Sequence, residues 1–490
     1  MAKICIVGSG FSGLSSACYL SKAGHEVHVF EKNLSIGGRA RQFETENGYK
    51  FDMGPSWYWM PNVFENFFKD FNVAVEDLYD LKLLDPSFDI VFPENEKISI
   101  PENFEKLCEL FEGIEAGSSK KLLEFLDEAA YKYKIGMEKL IYSPGISILE
   151  FLDLEVIKGV FKLQVFTKFS THVRKYFSNP KLIALMEFPI LFLGAMPNNT
   201  PALYSLMNFA ALKLGTWYPI GGFIKVIEAM ESIAKIYKTQ FHLNSAIEKI
   251  QIESGKVQSL LVNGKQISCD VVIASADYHH IETKLIDAKY RNYSDKYWEN
   301  RFLAPSCLIF YIGINTRIEN INHHTLFFDE DLDQHAKDIY EQKRWPKKPL
   351  FYVCCPSRTD VDVAPIGHEN LFLLMPIATN LEEDEELKES YFNLMVLRIK
   401  KQFGINIKNH LEYKKSYCVK DFKMDYNSFK GNAYGLANTL NQTAIFKPKI
   451  INKKVKNLFY TGQLTVPGPG VPPSIISGKI VANQVLKTLK

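Results

Sequence analysis

The chain has 490 residues, too many for one hydrophobic core, so two or three domains are expected. A formal net charge of +2 with 23% charged residues, and no acidic or basic tail, argues against a nucleic-acid binder. The eight cysteines form no CxxC or other metal spacing, and the adjacent Cys354 and Cys355 suit neither a simple disulfide nor a zinc site, so all read as reduced thiols of a cytosolic protein.

In chain order, the first feature is the stretch from Lys3 to Glu31. The apolar run Ile4 to Val7 ends in Gly8, Gly10 and Gly13 at GxGxxG spacing. A helical pattern follows (Leu14, Ala17, Cys18, Leu20), Gly24 stops it, and a second apolar run, Val27 to Phe30, ends in Glu31. Strand, tight turn, helix, strand and terminal acid are the parts a dinucleotide needs. Gly8 permits the turn, Gly10 lets a pyrophosphate approach the backbone, and Gly13 lets helix and strands pack closely. The helix N-terminus offers free N–H groups to phosphate, and Glu31 is placed to accept bonds from the ribose hydroxyls. Ser9, Phe11, Ser12 and Lys32 are assigned to the same nucleotide contact. Gly37, Gly38 and Arg39 then supply another close approach and a cation for the pyrophosphate. Sequence alone offers no room for a signal peptide before Lys3.

Gly54 and Pro55 mark a turn followed by Ser56, and Trp57, Tyr58 and Trp59 crowd behind it, suited either to line a cleft or to pack a core. The chain from Asn62 to about Lys213 is mostly helical in pattern, with a hairpin expected near Leu81 to Ile100 and a helix over Leu122 to Ile141. Val156 to Lys175 is basic, aromatic-rich and free of acids, the profile of a helix lying in a membrane interface. Phe188 to Leu212 is uncharged, but Pro189, Pro197 and Pro201 make it a poor spanning helix; it reads as membrane-facing or tunnel-lining.

After Gly215–Gly222 a helical pattern runs from Ile224, then short β-like runs punctuated by Ser254-Gly255 and Asn263-Gly264, then the apolar run 270–274. From Ala304 to about Lys420 the chain reads as a second, β-rich domain. His323 and His324 are adjacent on an extended segment, so their side chains are expected to point apart, with no third ligand in view; no metal is expected. The last segment has a strand at 457–461, a Gly/Pro-rich loop from Gly462 to Pro473 and an apolar helix. Gly462 permits close approach to a cofactor, and the loop, with Val471 and Pro472, leads into a helix from about Ser474 whose N-terminal dipole can favour negative charge.

The IGGRAR extension resembles the flavoprotein superfamily of amine oxidases, protoporphyrinogen oxidases and carotenoid desaturases. Together with Phe51–Ser56, the GTWYPIGG segment, the strand ending in Ser275-Ala276-Asp277 and the closing loop, it resembles the CrtI-type carotenoid (phytoene) desaturases. The resemblance implies an α/β fold: a Rossmann-like FAD-binding domain (1–100, 215–290, 426–490), a helical insert for membrane contact and substrate entry (101–214) and a β-rich substrate domain (291–425). It places Gly54, Pro55 and Ser56 beside the flavin and Ile247 at the adenine end. It implies hydride removal from a carotenoid C–C single bond, phytoene-type or at the 3,4 position of a 1-hydroxycarotenoid. Oxygen or a quinone would be the acceptor, and the enzyme would be peripheral on the cytoplasmic membrane.

Trp57 and Trp59 are candidate substrate contacts. Asp52, Tyr58 and Lys447 sit in matched motifs, but none is assigned as general base, and Asp52 reads as a structural bond to its turn. The closing loop, TVPGPGVPP, departs from the family's commoner THPGxGxPG, and Lys447-Pro448 stands where Arg-Pro is common. A carotenoid isomerase or saturase of the same family, and a prenyl-lipid carrier without flavin, are the rival readings.

Overall fold

The two apolar runs of the glycine fingerprint become the strands Lys3–Val7 and Glu26–Phe30, paired in parallel with Ile4 opposite Val27 and Val7 opposite Phe30. Parallel neighbours need a crossover, and the helix Phe11–Lys22 provides it. Val271–Ala274 pairs on the other side of Lys3–Val7, Leu458–Tyr460 lies outside it, and Gln240–His242 closes the opposite edge. One five-stranded parallel sheet is thus built from the beginning, middle and end of the chain. The computed structural model describes residues 1–147, 150 and 162–489.

Helices cover this sheet, as an all-parallel sheet requires. Phe11–Lys22 packs against Ile224–Ile236 and Val471–Thr488. The second contact is close: a Cβ at Gly478 would stand 2.4 Å from the Ser12 carbonyl oxygen. The Ser15 hydroxyl donates to the Ile475 carbonyl at 2.7 Å across the same seam.

The expected β-like runs at 247–267 form a three-stranded antiparallel sheet. Its two turns have positive φ at both central residues, Ser254-Gly255 (50° and 73°) and Asn263-Gly264 (48° and 73°), which suits the right-handed twist of hairpin strands.

The second large sheet has seven strands, in the order Leu411–Tyr417, Ser306–Ile314, Glu369–Ile377, Phe351–Cys354, His324–Phe327, Phe88–Val91 and Lys97–Ile100. The hairpin expected over 81–100 is formed by Phe88–Val91 and Lys97–Ile100, while Leu81–Leu83 pairs with Trp217–Pro219. The hairpin joins this sheet through His324–Phe327, so residues 1–100 serve both sheets, although the sequence reading groups them with the nucleotide-binding part.

The insert is helical, as expected, with Phe104–Ile114, Ser118–Ile135, Phe169–Tyr176, Pro180–Glu187 and Leu206–Leu212. The Val156–Phe161 half of the basic amphipathic stretch lies outside the described residues. Its other half exposes Phe166, 80% accessible, near Lys162 and Lys168. Phe188–Leu193 is one short turn of helix ending at Gly194, and Phe188 and Ile190 are buried. Among the described residues no helix is long and apolar enough to cross a membrane.

Candidate functional site

The site begins where Lys3–Val7 ends. Gly8 has φ of +99°, and its N–H donates to the Phe30 carbonyl at 2.8 Å, turning the chain sharply into the helix. A Cβ at Gly13 would sit 2.2 Å from the Gly8 carbonyl oxygen and 2.9 Å from Ser275 Oγ, so only glycine packs there. A Cβ at Gly10 would meet nothing within 4 Å; the position opens directly onto a cavity. Gly10 is also the N-cap of the helix and offers no side-chain acceptor, so the first-turn N–H groups remain for a ligand.

Glu31 is 5% exposed, and its carboxylate accepts from Ser9 N (3.0 Å), Ser9 Oγ (2.7 Å), Asn33 N (2.9 Å) and Asn33 Nδ2 (2.9 Å). These bonds fix it at the cavity wall, beside Lys32, whose ammonium donates to the Met424 carbonyl. The Gly37–Gly38 turn folds back on the fingerprint: Gly37 N donates to Ser9 O at 3.0 Å, and a Cβ at Gly38 would lie 3.2 Å from Gly10 Cα. Arg39 follows, half-buried, its guanidinium 4.8 Å from the centroid of the Tyr426 ring. Burial lowers its pKa, opposed by Tyr426 and Asp277. Its Nε has no hydrogen-bond partner. Asp277 faces this end too; burial pushes its carboxyl up to about 6, against bonds from Phe429 N and His280 N, both at 3.1 Å.

A helix N-terminus without a cap, a glycine opening where a side chain would intrude, and a half-buried arginine with a buried, unused Nε fit a pyrophosphate-containing nucleotide.

One cavity carries nearly every residue that the sequence assigns to the cofactor: Gly8 to Ser12, Glu31, Lys32, Gly38, Arg39, Gly54 to Ser56, Ile247, Gly462 and Val471. Two are outside its lining. Gly13 acts by packing, and Pro472 only begins the C-terminal helix. Because Pro472 and Pro473 have no N–H, Val471 is the sole amide donor among that helix's first three residues. The Trp57–Trp59 cluster divides. Trp57 lines the cavity and stacks on His324 at 4.0 Å. Trp59 lies behind it, 5% exposed, donating from Nε1 to Thr216 Oγ1 at 2.9 Å.

The motif acids and bases are not on the wall. Asp52 has a structural role as expected, but toward another element than its own turn: it accepts from Phe223 N (2.9 Å), at the start of Ile224–Ile236, and from Gln42 Nε2 (3.1 Å), and burial pushes it up to about 7. Tyr58 is bonded through its hydroxyl to that of Tyr79 at 2.8 Å within the core. Lys447 is buried, which pushes it down to about 7.

Beyond Ser56 and Trp57 the same cavity turns apolar. Phe188, Leu191, Leu326, Phe328, Ile339 and Leu374 form its far wall, with Tyr340, Tyr352 and Tyr434 among them. Most of these residues were missed from the sequence, although the strands that carry Tyr352 and Leu374 were expected; the 188–212 segment, read as tunnel-lining or membrane-facing, supplies Phe188 and Leu191.

A family model described as flavin containing amine oxidoreductase matches residues 11–486. A carotenoid 3,4-desaturase of Haloarcula japonica is 37% identical over 99% of this chain and 98% of its own. A zeta-carotene-forming phytoene desaturase of Myxococcus xanthus is 29% identical over 99% of this chain and 94% of its own. Among solved structures, an oxidoreductase from Methanosarcina mazei superposes with a TM-score of 0.65 at 17% identity, covering 98% of this chain and 100% of that one. The cradle, the chamber beside it and these matches lead to one conclusion: the chain belongs to the flavin containing amine oxidoreductase family, and its cofactor is FAD.

Proposed function

We propose that this chain is an FAD-dependent carotenoid desaturase that extends the conjugation of an isoprenoid chain. The observation that carries the reading is the joining of a nucleotide cradle to an apolar, aromatic chamber in one cavity, within a chain 37% identical to a carotenoid 3,4-desaturase. Bound FAD would supply the hydride acceptor. Residues 8–12, Glu31, Arg39 and Gly462 would hold the dinucleotide, and the turn at Gly54–Ser56 would set its reactive end at the mouth of the chamber. The apolar wall would bury the polyene, align one C–C bond and keep water from the reacting carbons. Supplied with FAD and hydroxylated or acyclic carotenes, the protein should yield products whose absorption is shifted to the red. An unshifted spectrum would point to isomerisation and a blue shift to saturation.

Substrate of this kind resides in lipid, and the basic, aromatic stretch ending at Lys175 is proposed as the contact with the cytoplasmic membrane surface. Oxygen or a quinone is proposed as acceptor. Exposed Phe166, near Lys162 and Lys168, gives the first handle. Phe166→Asp should lower the fraction floating with anionic vesicles at least about threefold, and added salt should weaken the wild-type interaction. Equal flotation of the two proteins would remove this surface from the proposal.

A further inference from the structure

His323 and His324 do not point apart. They stand at the very start of the strand, where Cys355 N donates to the His323 carbonyl at 2.8 Å and His324 is the first paired residue, and the two rings meet at 4.5 Å between centroids. Cys354 is the antiparallel partner of His324 across the sheet and presents its thiol to the same place. One Nδ1 or Nε2 of each histidine and the Cys354 sulfur lie within 4.8 Å of one another, and all three residues are buried.

The other observations concern the ring nitrogens. His323 Nδ1 is engaged by Thr359 Oγ1 at 2.7 Å, and His324 Nδ1 by the Tyr352 hydroxyl at 2.6 Å. Both Nε2 atoms are buried without a hydrogen-bond partner. A hydroxyl on one ring nitrogen with the other free is the arrangement that orients a histidine ligand.

We infer that His323 Nε2, His324 Nε2 and Cys354 Sγ form a binding site for one borderline-soft transition-metal ion, Zn(II) or Cu(I). Ligand atoms on such an ion stand roughly 3.3–3.8 Å apart, from bonds of about 2.0–2.3 Å, so small side-chain rotations close the set. Binding exchanges the Cys354 S–H bond for a sulfur–metal bond, releases that proton to solvent and changes no oxidation state. The ion would clasp the strands His324–Phe327 and Phe351–Cys354 directly behind Trp57, and so brace the cavity wall. The rival occupant is an ordered water bridging the two Nε2 atoms.

The test uses the full chain with FAD bound, expressed with added zinc or copper and dialysed against a weak chelator. Elemental analysis should find about one metal ion per chain, falling at least about tenfold in Cys354→Ser and His323→Gln; Thr359→Val, which frees the His323 ring, should weaken retention about tenfold. X-ray absorption of the wild-type protein should show a mixed nitrogen and sulfur shell, a readout that no variant's folding affects. Metal no higher in wild type than in Cys354→Ser, a shell without sulfur, or a water molecule at the site in a crystal structure would overturn the inference.

Discussion

Alanine at Gly13 is expected to leave the protein without flavin and with a damaged nucleotide-binding fold. The new methyl would stand 2.2 Å from the Gly8 carbonyl oxygen and 2.9 Å from Ser275 Oγ, so helix and sheet must separate. Overpacking of this kind costs about 1–3 kcal/mol where side chains yield, and here the nearest atom is backbone, so the loss lies at or beyond the upper end. Gly10→Ala is the matched control. Its methyl meets nothing within 4 Å and projects where the pyrophosphate is expected, so thermal stability without FAD should stay within about 0.5–1 kcal/mol of wild type. Its FAD dissociation constant should nevertheless rise at least about tenfold, or about 1.4 kcal/mol. Thermal melts with and without FAD, and flavin fluorescence titration, separate the two. A Gly13→Ala protein that binds FAD as wild type does would contradict the packing argument, and a Gly10→Ala protein that does so would contradict the placement of the pyrophosphate.

The second large effect is expected at Trp57. It stands where the cavity passes from the Gly54–Ser56 turn into the apolar chamber, stacked on His324 and packed against Phe188 and Tyr352. Trp57→Ala should leave FAD content unchanged and lower carotene conversion at least about tenfold, because a misplaced reacting bond loses orientation. Trp59→Ala should show the opposite balance. It removes a buried ring and its bond to Thr216, a loss of about 3–5 kcal/mol in stability, with a smaller effect on turnover of the protein that remains folded. Unchanged conversion by Trp57→Ala would remove Trp57 from the substrate wall.

The nucleotide end was legible because each residue there answers a local backbone need. A sharp turn at Gly8, a tight seam at Gly13 and an open approach at Gly10 all leave a glycine in the sequence, and the terminal acid follows at fixed spacing. Other readings lacked such a local cause. Trp57 and Trp59 meet edge to face at 5.2 Å between centroids while Tyr58 stacks on Phe64, and nothing in their spacing says which of the two tryptophans reaches the cavity. Alternation failed for His323 and His324 because they stand at the frayed start of a strand, where only His324 is a paired residue. Most of the apolar chamber could not be read, since beyond the 188–212 segment Leu326, Tyr352 and Leu374 come together only through the pairing of distant strands.

The central claim is that flavin held in the cradle removes hydrogen from a carotenoid held in the chamber. Anaerobic single turnover tests it most directly: the FAD-loaded protein is mixed with excess carotene in vesicles without any electron acceptor, and new double bonds are counted by chromatography and mass. The expected result is a mass loss of two hydrogens and about one new double bond per bound FAD, with turnover resuming when oxygen or a quinone is admitted. Product in excess of flavin without an acceptor, or product of unchanged mass, would contradict it.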